Sequence, residues 1–199
     1  MVEYAGADVI GLNFVPHSPR YVGVAQAEVI AQHSTLPLVG LFADPSAEQV
    51  ASTLERVPLQ YLQFHGQESP EFCEDFGLPY LKVIHVEVDS LASGEPGHVL
   101  ADQLCQQVAQ YPAAWALLFD AAIGGVSGGT GRRFDWSVLP NLADQRLVLA
   151  GGLDVDNVAE AVRAVQPFGV DVSSGVESGV KGIKSAEKVS AFVRQARTA

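Results

Sequence analysis

Seven short apolar runs recur along the chain, and a segment with helical spacing follows each of them. They occupy residues 9–15, 37–42, 60–64, 80–86, 115–119, 146–149 and 169–172. Strands that alternate with helices predict a parallel sheet. Polar or glycine-rich residues follow nearly every run, as they do at the strand C-termini of a TIM barrel. The sequence therefore predicts the α/β class, a (β/α)8 barrel in which about seven βα units are recognisable and the first strand, with most of its helix, is not.

Length and charge narrow the functional classes. The 199 residues predict one domain over 1–199. A net charge of −11 argues against a nucleic-acid partner or an anionic membrane surface. No apolar run approaches the ~20 residues that cross a bilayer, and no signal segment is recognisable, so we expect a cytoplasmic protein. Cys73 and Cys105 have no metal-ligand spacing and are interpreted as reduced packing residues.

Three glycine-rich stretches lie late in the chain, at residues 128–131, 150–152 and 173–175. Glycine lets backbone amides approach an anion closely, and serine or threonine hydroxyls add donors. The loops after the last two strands of a βα barrel often form a phosphate site. Tight turns without function are the alternative, but three stretches at one end of a barrel favour a phosphate cradle. Its candidate residues are Gly129, Gly131, Gly151, Gly152, Ser173, Ser174 and Gly175.

Two aspartates lie at positions that suit a role in the active site. Asp120 ends the run 115–119 and would point into the mouth of the barrel. A carboxyl group between apolar walls has a raised pKa and suits a general acid, although a turn or capping aspartate is an equal alternative. Asp171 alternates with Val170 and Val172 and therefore faces away from them. It would line the barrel interior or form a structural ion pair.

Three basic or imidazole side chains follow strands. Arg20 carries a planar fork that suits a carboxylate or a phosphate, with a surface arginine as the alternative. His65 and His85 end two successive runs, where a ligand contact and a structural hydrogen bond are both open interpretations. Residues 121–133 predict a long loop with five glycines, a composition typical of functional loops.

These motifs together resemble the phosphoribosylanthranilate isomerases of tryptophan biosynthesis. The matching stretches occur in family order at residues 6–12, 18–22, 62–68, 128–136, 149–153 and 169–177. The resemblance implies a (β/α)8 barrel without cofactor or metal. It also implies a small phosphorylated substrate, no nucleic-acid or membrane partner, and a monomer or homodimer.

The resemblance implies an Amadori rearrangement, in which a ribosyl aminoaldose phosphate becomes the 1-deoxyribulose phosphate. An acid protonates the furanose ring oxygen, the ring opens to a Schiff base, a base removes the C2′ proton, and the enol becomes the ketone. By this resemblance Asp120 is the acid and Arg20 lies near the anthranilate carboxylate. The glycine loops hold the phosphate, and His65 and Asp171 complete the substrate-binding residues.

The chain departs from the family pattern at the base. The family uses a cysteine in a Lys-x-Cys-Gly motif just after the first strand, and neither Cys73 nor Cys105 matches it. Two explanations are open: a start assigned at an internal methionine, or a true truncation that leaves an impaired phosphate-binding barrel that pairs with another chain. We favour the first, because the rest of the site is intact and a missing strand leaves open sheet edges. We expect little activity from the 199 residues, since a general base contributes about 10²- to 10⁴-fold.

Overall fold

One sheet organises the molecule. A computed structural model describes residues 2–87, 97–123, 126–127, 134–140, 142 and 145–199. The parallel strands of this part are β1 Ile10–Asn13, β2 Leu38–Phe42, β3 Tyr61–Phe64, β4 Tyr80–Glu87, β5 Ala116–Ile123, β7 Arg146–Leu149 and β8 Gly169–Val170. They pair in the order β1-β2-β3-β4-β5-β7-β8. Each predicted run overlaps one of these strands, so the predicted α/β barrel architecture is confirmed.

Helices connect the strands. They are α1 Val24–His33, α2 Ala47–Leu54, α3 Pro70–Glu74, α4 Gly97–Val108, α5 Val158–Val165 and α6 Ala186–Thr198. Three of them begin at a serine whose hydroxyl accepts a hydrogen bond from a backbone N–H three residues later, namely Ser46, Ser69 and Ser185. Each such cap stabilises its helix by about 1 kcal/mol. No helix in the described ranges is long and apolar enough to cross a membrane.

The two faces of the sheet bury different sets of side chains. The outer face packs against the helices, and Phe42, Phe64 and Phe119 are fully buried there. The inner face carries a smaller apolar cluster of Leu81, Val83, Ala116, Leu118, Val148 and Ala150. Side chains alternate between the two faces along a strand. The residue two positions after Val83 on β4, and the residue two positions after Leu118 on β5, therefore also lie on the inner face, nearer to the strand C-termini. This alternation puts His85 and Asp120 on the inner face.

The sheet curves until its end strands approach each other. Arg20, which follows β1, forms an ion pair with Glu177, which follows β8. Arg197 in α6 donates hydrogen bonds to the Gly6 carbonyl and to the Asp8 carboxylate. Among the described strands, β1 pairs with β2 and with no other, and β8 pairs with β7 and with no other.

The segment after residue 120 differs from the sequence prediction. We predicted one loop over residues 121–133, but β5 continues to Ile123 and pairs antiparallel with β6, Val126–Ser127. Asp120 therefore lies inside β5 and not at its end. The remaining residues of this predicted loop, with Gly129 and Gly131 among them, lie outside the described residues.

The structure also places the two cysteines in different environments. Cys73 is buried in the outer core, as its apolar neighbours indicate, and burial raises the pKa of its thiol to about 12. Cys105 is exposed on α4, so the prediction that it is a packing residue is wrong. Leu100 and Leu104 lie on the buried face of this amphipathic helix, and Cys105 lies outside that face although an apolar residue, Leu104, precedes it.

Candidate active site

Asp120 is the central titratable group of the barrel mouth. Its Cα is paired in register with that of His85 on β4, and its side chain is buried, with the residue only 6% exposed. Burial raises the pKa of Asp120 to about 7, and the like charge of Asp171 adds to this effect. A hydrogen bond from the backbone of Ala121 opposes the rise. The carboxyl group therefore retains its proton close to neutral pH, which is the property that a general acid needs.

Asp171 follows β8 and faces the same mouth. Val170 and Val172 pack against the outer core, so Asp171 projects inward as predicted. The Asp171 residue is exposed to solvent, but many protein atoms lie around its carboxyl group, and the resulting desolvation raises the pKa of that group. The positive charge of Lys184 partly offsets this rise. Asp120 and Asp171 thus form a pair of carboxyl groups that resist simultaneous ionisation.

His65 is held as a neutral imidazole at the end of β3. Burial lowers its pKa to about 3, and the charges of His85 and Lys82 add to the effect. The Gln63 amide lies within hydrogen-bonding distance of the His65 ring, and His85 Nε2 donates to the His65 carbonyl oxygen at 2.8 Å. These contacts fix both the backbone and the ring. A fixed neutral imidazole is suited to hydrogen bonding with an uncharged part of a ligand.

A buried ion pair supports the loop that carries His65. Lys82 Nζ lies 2.8 Å from the Glu68 carboxylate and also donates to the Gly66 carbonyl oxygen. The other Glu68 carboxylate oxygen accepts hydrogen bonds from the backbone N–H groups of Asp44 and Gly66. Both charges are therefore compensated in the interior. Sequence reasoning missed this pair, although a lysine inside the apolar run 80–86 was its signal.

The loops after β7 and β8 present unused backbone donors. Gly151 and Gly152 adopt φ angles of 79° and 65°, in the region that favours glycine. A Cβ at Gly151 would lie 2.2 Å from the Ala121 nitrogen. The backbone N–H groups of Gly151, Gly152, Ser173 and Ser174 donate to no other described residue. Half-buried and unpaired amides of this kind form an anion site.

Arg20 contacts this second loop through Glu177. The guanidinium makes a bidentate contact, with Nε–Oε1 at 2.6 Å and Nη2–Oε2 at 3.1 Å. Lys184 Nζ lies 3.6 Å from the same carboxylate and donates to the Ser173 carbonyl oxygen at 2.7 Å. Burial alone would raise the pKa of Glu177, but hydrogen bonds from Arg20 and Gly182 lower it below its usual value. Arg20 is therefore not a free surface arginine, which excludes the alternative interpretation.

Comparison with known proteins assigns this architecture to a family. The family model for N-(5′-phosphoribosyl)anthranilate isomerase matches residues 2–195. The isomerase of Thiobacillus denitrificans is 44% identical over 195 residues, which cover 97% of this chain and 89% of the relative. That of Pseudomonas paraeruginosa is 46% identical over 198 residues, which cover 98% and 87%. The chain belongs to the phosphoribosylanthranilate isomerase family.

Solved structures agree with the isomerase assignment. The crystal structure of the isomerase from Thermotoga maritima is 29% identical and covers 100% of this chain and 92% of its own, with a TM-score of 0.81. Another isomerase structure, in complex with reduced 1-(o-carboxyphenylamino)-1-deoxyribulose 5-phosphate, is 26% identical over 100% of this chain and 91% of its own, with a TM-score of 0.75. The family that the motifs resemble is thus confirmed.

The isomerase fold brings most of the predicted residues to one end of the sheet. Those that follow the strand C-termini or line the inner face there are Arg20, His65, Asp120, Gly151, Gly152, Asp171, Ser173, Ser174 and Gly175. Sequence reasoning assigned no role to the neighbours that hold them, Gln63, Glu177 and Lys184. Within the described ranges, no group of three His, Cys, Asp or Glu residues is arranged to hold a metal ion.

Proposed function

We propose that this chain isomerises N-(5-phosphoribosyl)anthranilate to 1-(2-carboxyphenylamino)-1-deoxyribulose 5-phosphate, the Amadori step of tryptophan biosynthesis, with Asp120 as the acid. The observation that carries the proposal is the inward, buried Asp120 carboxyl group, whose pKa rises to about 7. The net charge of −11 argues against nucleic-acid and anionic-membrane partners, and membership of the isomerase family supports a cytoplasmic enzyme that acts as a monomer or homodimer.

Ring opening is the step that needs this acid. The protonated Asp120 carboxyl group donates its proton to the furanose ring oxygen, and the bond between that oxygen and C1′ breaks. The electron pair of the amine nitrogen forms the Schiff base, while Asp120 becomes a carboxylate. Because burial and the nearby Asp171 disfavour that carboxylate, Asp120 still holds its proton near neutral pH before ring opening and readily recovers a proton afterwards.

The C2′ proton then leaves to a base, and neither cysteine of this chain fits that role. Cys73 lies in the outer core, and its pKa of about 12 keeps the thiol protonated. Cys105 lies exposed on α4, whose residues follow β4 along the chain and lie apart from the inner face. We therefore assign no catalytic role to Cys73 or Cys105.

Two sites would hold the charged ends of the substrate. The unused amides of Gly151, Gly152, Ser173 and Ser174 suit the phosphate, with Gly175 closing the loop against Leu153. Arg20 uses Nε and Nη2 for Glu177 and leaves Nη1 without a partner among the described residues, so we assign it to the anthranilate carboxylate. His65 and Asp171 then lie between these ends and contact the sugar.

Steady-state kinetics on Asp120→Asn test the acid in a chain extended at its N-terminus through the family's Lys-x-Cys-Gly motif, because neither cysteine of the 199 residues fits the base. The parent chain for turnover is that extended chain without the substitution. We expect kcat to fall about 10²- to 10⁴-fold with little change in KM, because an acid acts mainly in the transition state. The same exchange at exposed Asp156 is the matched control. Binding of the reduced product analogue, measured by calorimetry, should survive in Asp120→Asn. Turnover by Asp120→Asn at the rate of the parent chain would remove Asp120 from the mechanism.

Inorganic phosphate tests the anion site independently of turnover. Its addition should shift the amide resonances of Gly152, Ser173 and Ser174 and leave those of α1 unchanged. It should also compete with the reduced product analogue, and added salt should weaken its binding. Phosphate that binds but shifts resonances elsewhere would place the anion site away from these loops.

A further inference from the structure

His85 carries a nitrogen that the isomerase mechanism above does not use. It lies on the inner face of β4, in register with Asp120 on β5. Its Nδ1 is buried and has no hydrogen-bond partner among the described residues. An unpaired polar atom in the interior is unfavourable, so its presence beside the acid calls for a ligand-based explanation.

The ring orientation is fixed by its other nitrogen. His85 Nε2 donates to the His65 carbonyl oxygen at 2.8 Å, which directs that edge of the ring toward β3. In an imidazole, Nδ1 lies on the edge opposite to the Cδ2–Nε2 bond. Nδ1 therefore lies on the ring edge away from the His65 carbonyl oxygen, in a residue whose Cα is in register with that of Asp120 on β5. An imidazole that carries a single hydrogen, on Nε2, has a lone pair on Nδ1, which can accept a hydrogen bond.

We propose that His85 is a further substrate-binding residue of this isomerase, whose Nδ1 accepts a hydrogen bond from a ribose hydroxyl next to the ring oxygen that Asp120 protonates. The inference rests on the active site proposed above. The contact satisfies the buried lone pair and holds the sugar at the acid. His85 thereby links the sugar to the backbone of His65, because one ring contacts both.

Two substitutions test the roles of the two His85 ring nitrogens separately. In His85→Gln the side-chain amide reaches the place of Nε2, so the donor to the His65 carbonyl is kept and the acceptor is lost. In His85→Asn the side-chain oxygen takes the place of Nδ1, so the acceptor is kept and the contact with His65 is lost. Calorimetry measures the Kd of the reduced product analogue for both variants and the parent chain.

We expect about tenfold weaker binding by His85→Gln and nearly unchanged binding by His85→Asn. On ¹⁵N-histidine-labelled parent chain, the analogue should also shift the Nδ1 resonance of His85 and leave that of exposed His17 in place. Unchanged binding by His85→Gln would overturn the proposal, as would weakening confined to His85→Asn. If both variants bind weakly, an unshifted Nδ1 resonance overturns it and a shifted one supports it.

The same experiment distinguishes failure of the site from failure of this inference. A parent chain that does not bind the analogue contradicts the active-site assignment and, with it, the His85 contact. A parent chain that binds, together with a His85→Gln variant that binds equally well, contradicts only the contact.

Discussion

Replacing Asp120 with asparagine should stabilise the protein, and the gain should grow with pH. The ordinary pKa of an aspartate side chain is 3.8, whereas that of Asp120 in the folded chain is about 7. Between these values the folded state holds a proton that the unfolded state has released. The free energy of unfolding of the parent chain therefore falls as pH rises through this window. Asp120→Asn removes the ionisation and with it this loss.

The magnitude follows from the two pKa values. A difference between about 7 and 3.8 corresponds to about 4 kcal/mol, at about 1.4 kcal/mol per pH unit. Asp120 is 6% exposed, so solvent screens this effect little. The unfolding free energy of Asp120→Asn minus that of the parent chain should thus rise by about 4 kcal/mol between pH 4 and pH 8. Most of that rise should be complete by pH 7.

Urea denaturation at a series of pH values measures this difference. Asp156→Asn controls for removing one negative charge from a chain of net charge −11, because Asp156 is exposed. A constant difference between Asp120→Asn and the parent chain from pH 4 to pH 8 would refute a buried, protonated Asp120. A difference that decreases with pH would instead indicate a carboxylate that the fold stabilises.

Two further substitutions test the supports of the site, each by urea denaturation. Lys82→Met should lower the free energy of unfolding by about 3–5 kcal/mol, because it leaves the Glu68 carboxylate buried and unpaired. Adding Glu68→Gln should restore much of that loss, and no restoration would show that the pair is not the cause. Gly175→Ala places a Cβ 2.0 Å from the Leu153 carbonyl oxygen and should destabilise strongly. Gly23→Ala, where nothing lies within 4 Å and φ is −68°, should change stability by less than about 1 kcal/mol.

The sequence was sufficient for the parallel sheet, because its signals are local. The runs at residues 146–149 and 60–64 reappear as strands within one residue, since each is a short, mainly apolar run that ends at turn or polar residues. Asp171 was likewise placed correctly by alternation with its two valine neighbours. Such predictions need only the period of the backbone.

Features that depend on pairing across the fold were not predictable from one sequence. The antiparallel pairing of β5 with β6 joins residues 122–123 to 126–127, within a glycine-rich stretch of sequence whose composition is equally typical of a loop. Arg20 looked like a lone cation because Glu177, its partner, is 157 positions away along the chain. The curvature of the sheet brings them together, and no local pattern records that curvature.

The acid and its surroundings connect stability to chemistry. Desolvation that keeps a proton on Asp120 at neutral pH also removes stability from the folded chain at higher pH, because both effects come from one buried carboxyl group. A fully solvated carboxyl would avoid that loss but would release its proton far below pH 7. The buried Lys82–Glu68 pair fixes the loop that carries His65, and His85 ties the backbone of that residue to the strand beside Asp120. The acid is therefore destabilised as a carboxylate while the groups next to it are held in place, which is the arrangement that proton donation requires.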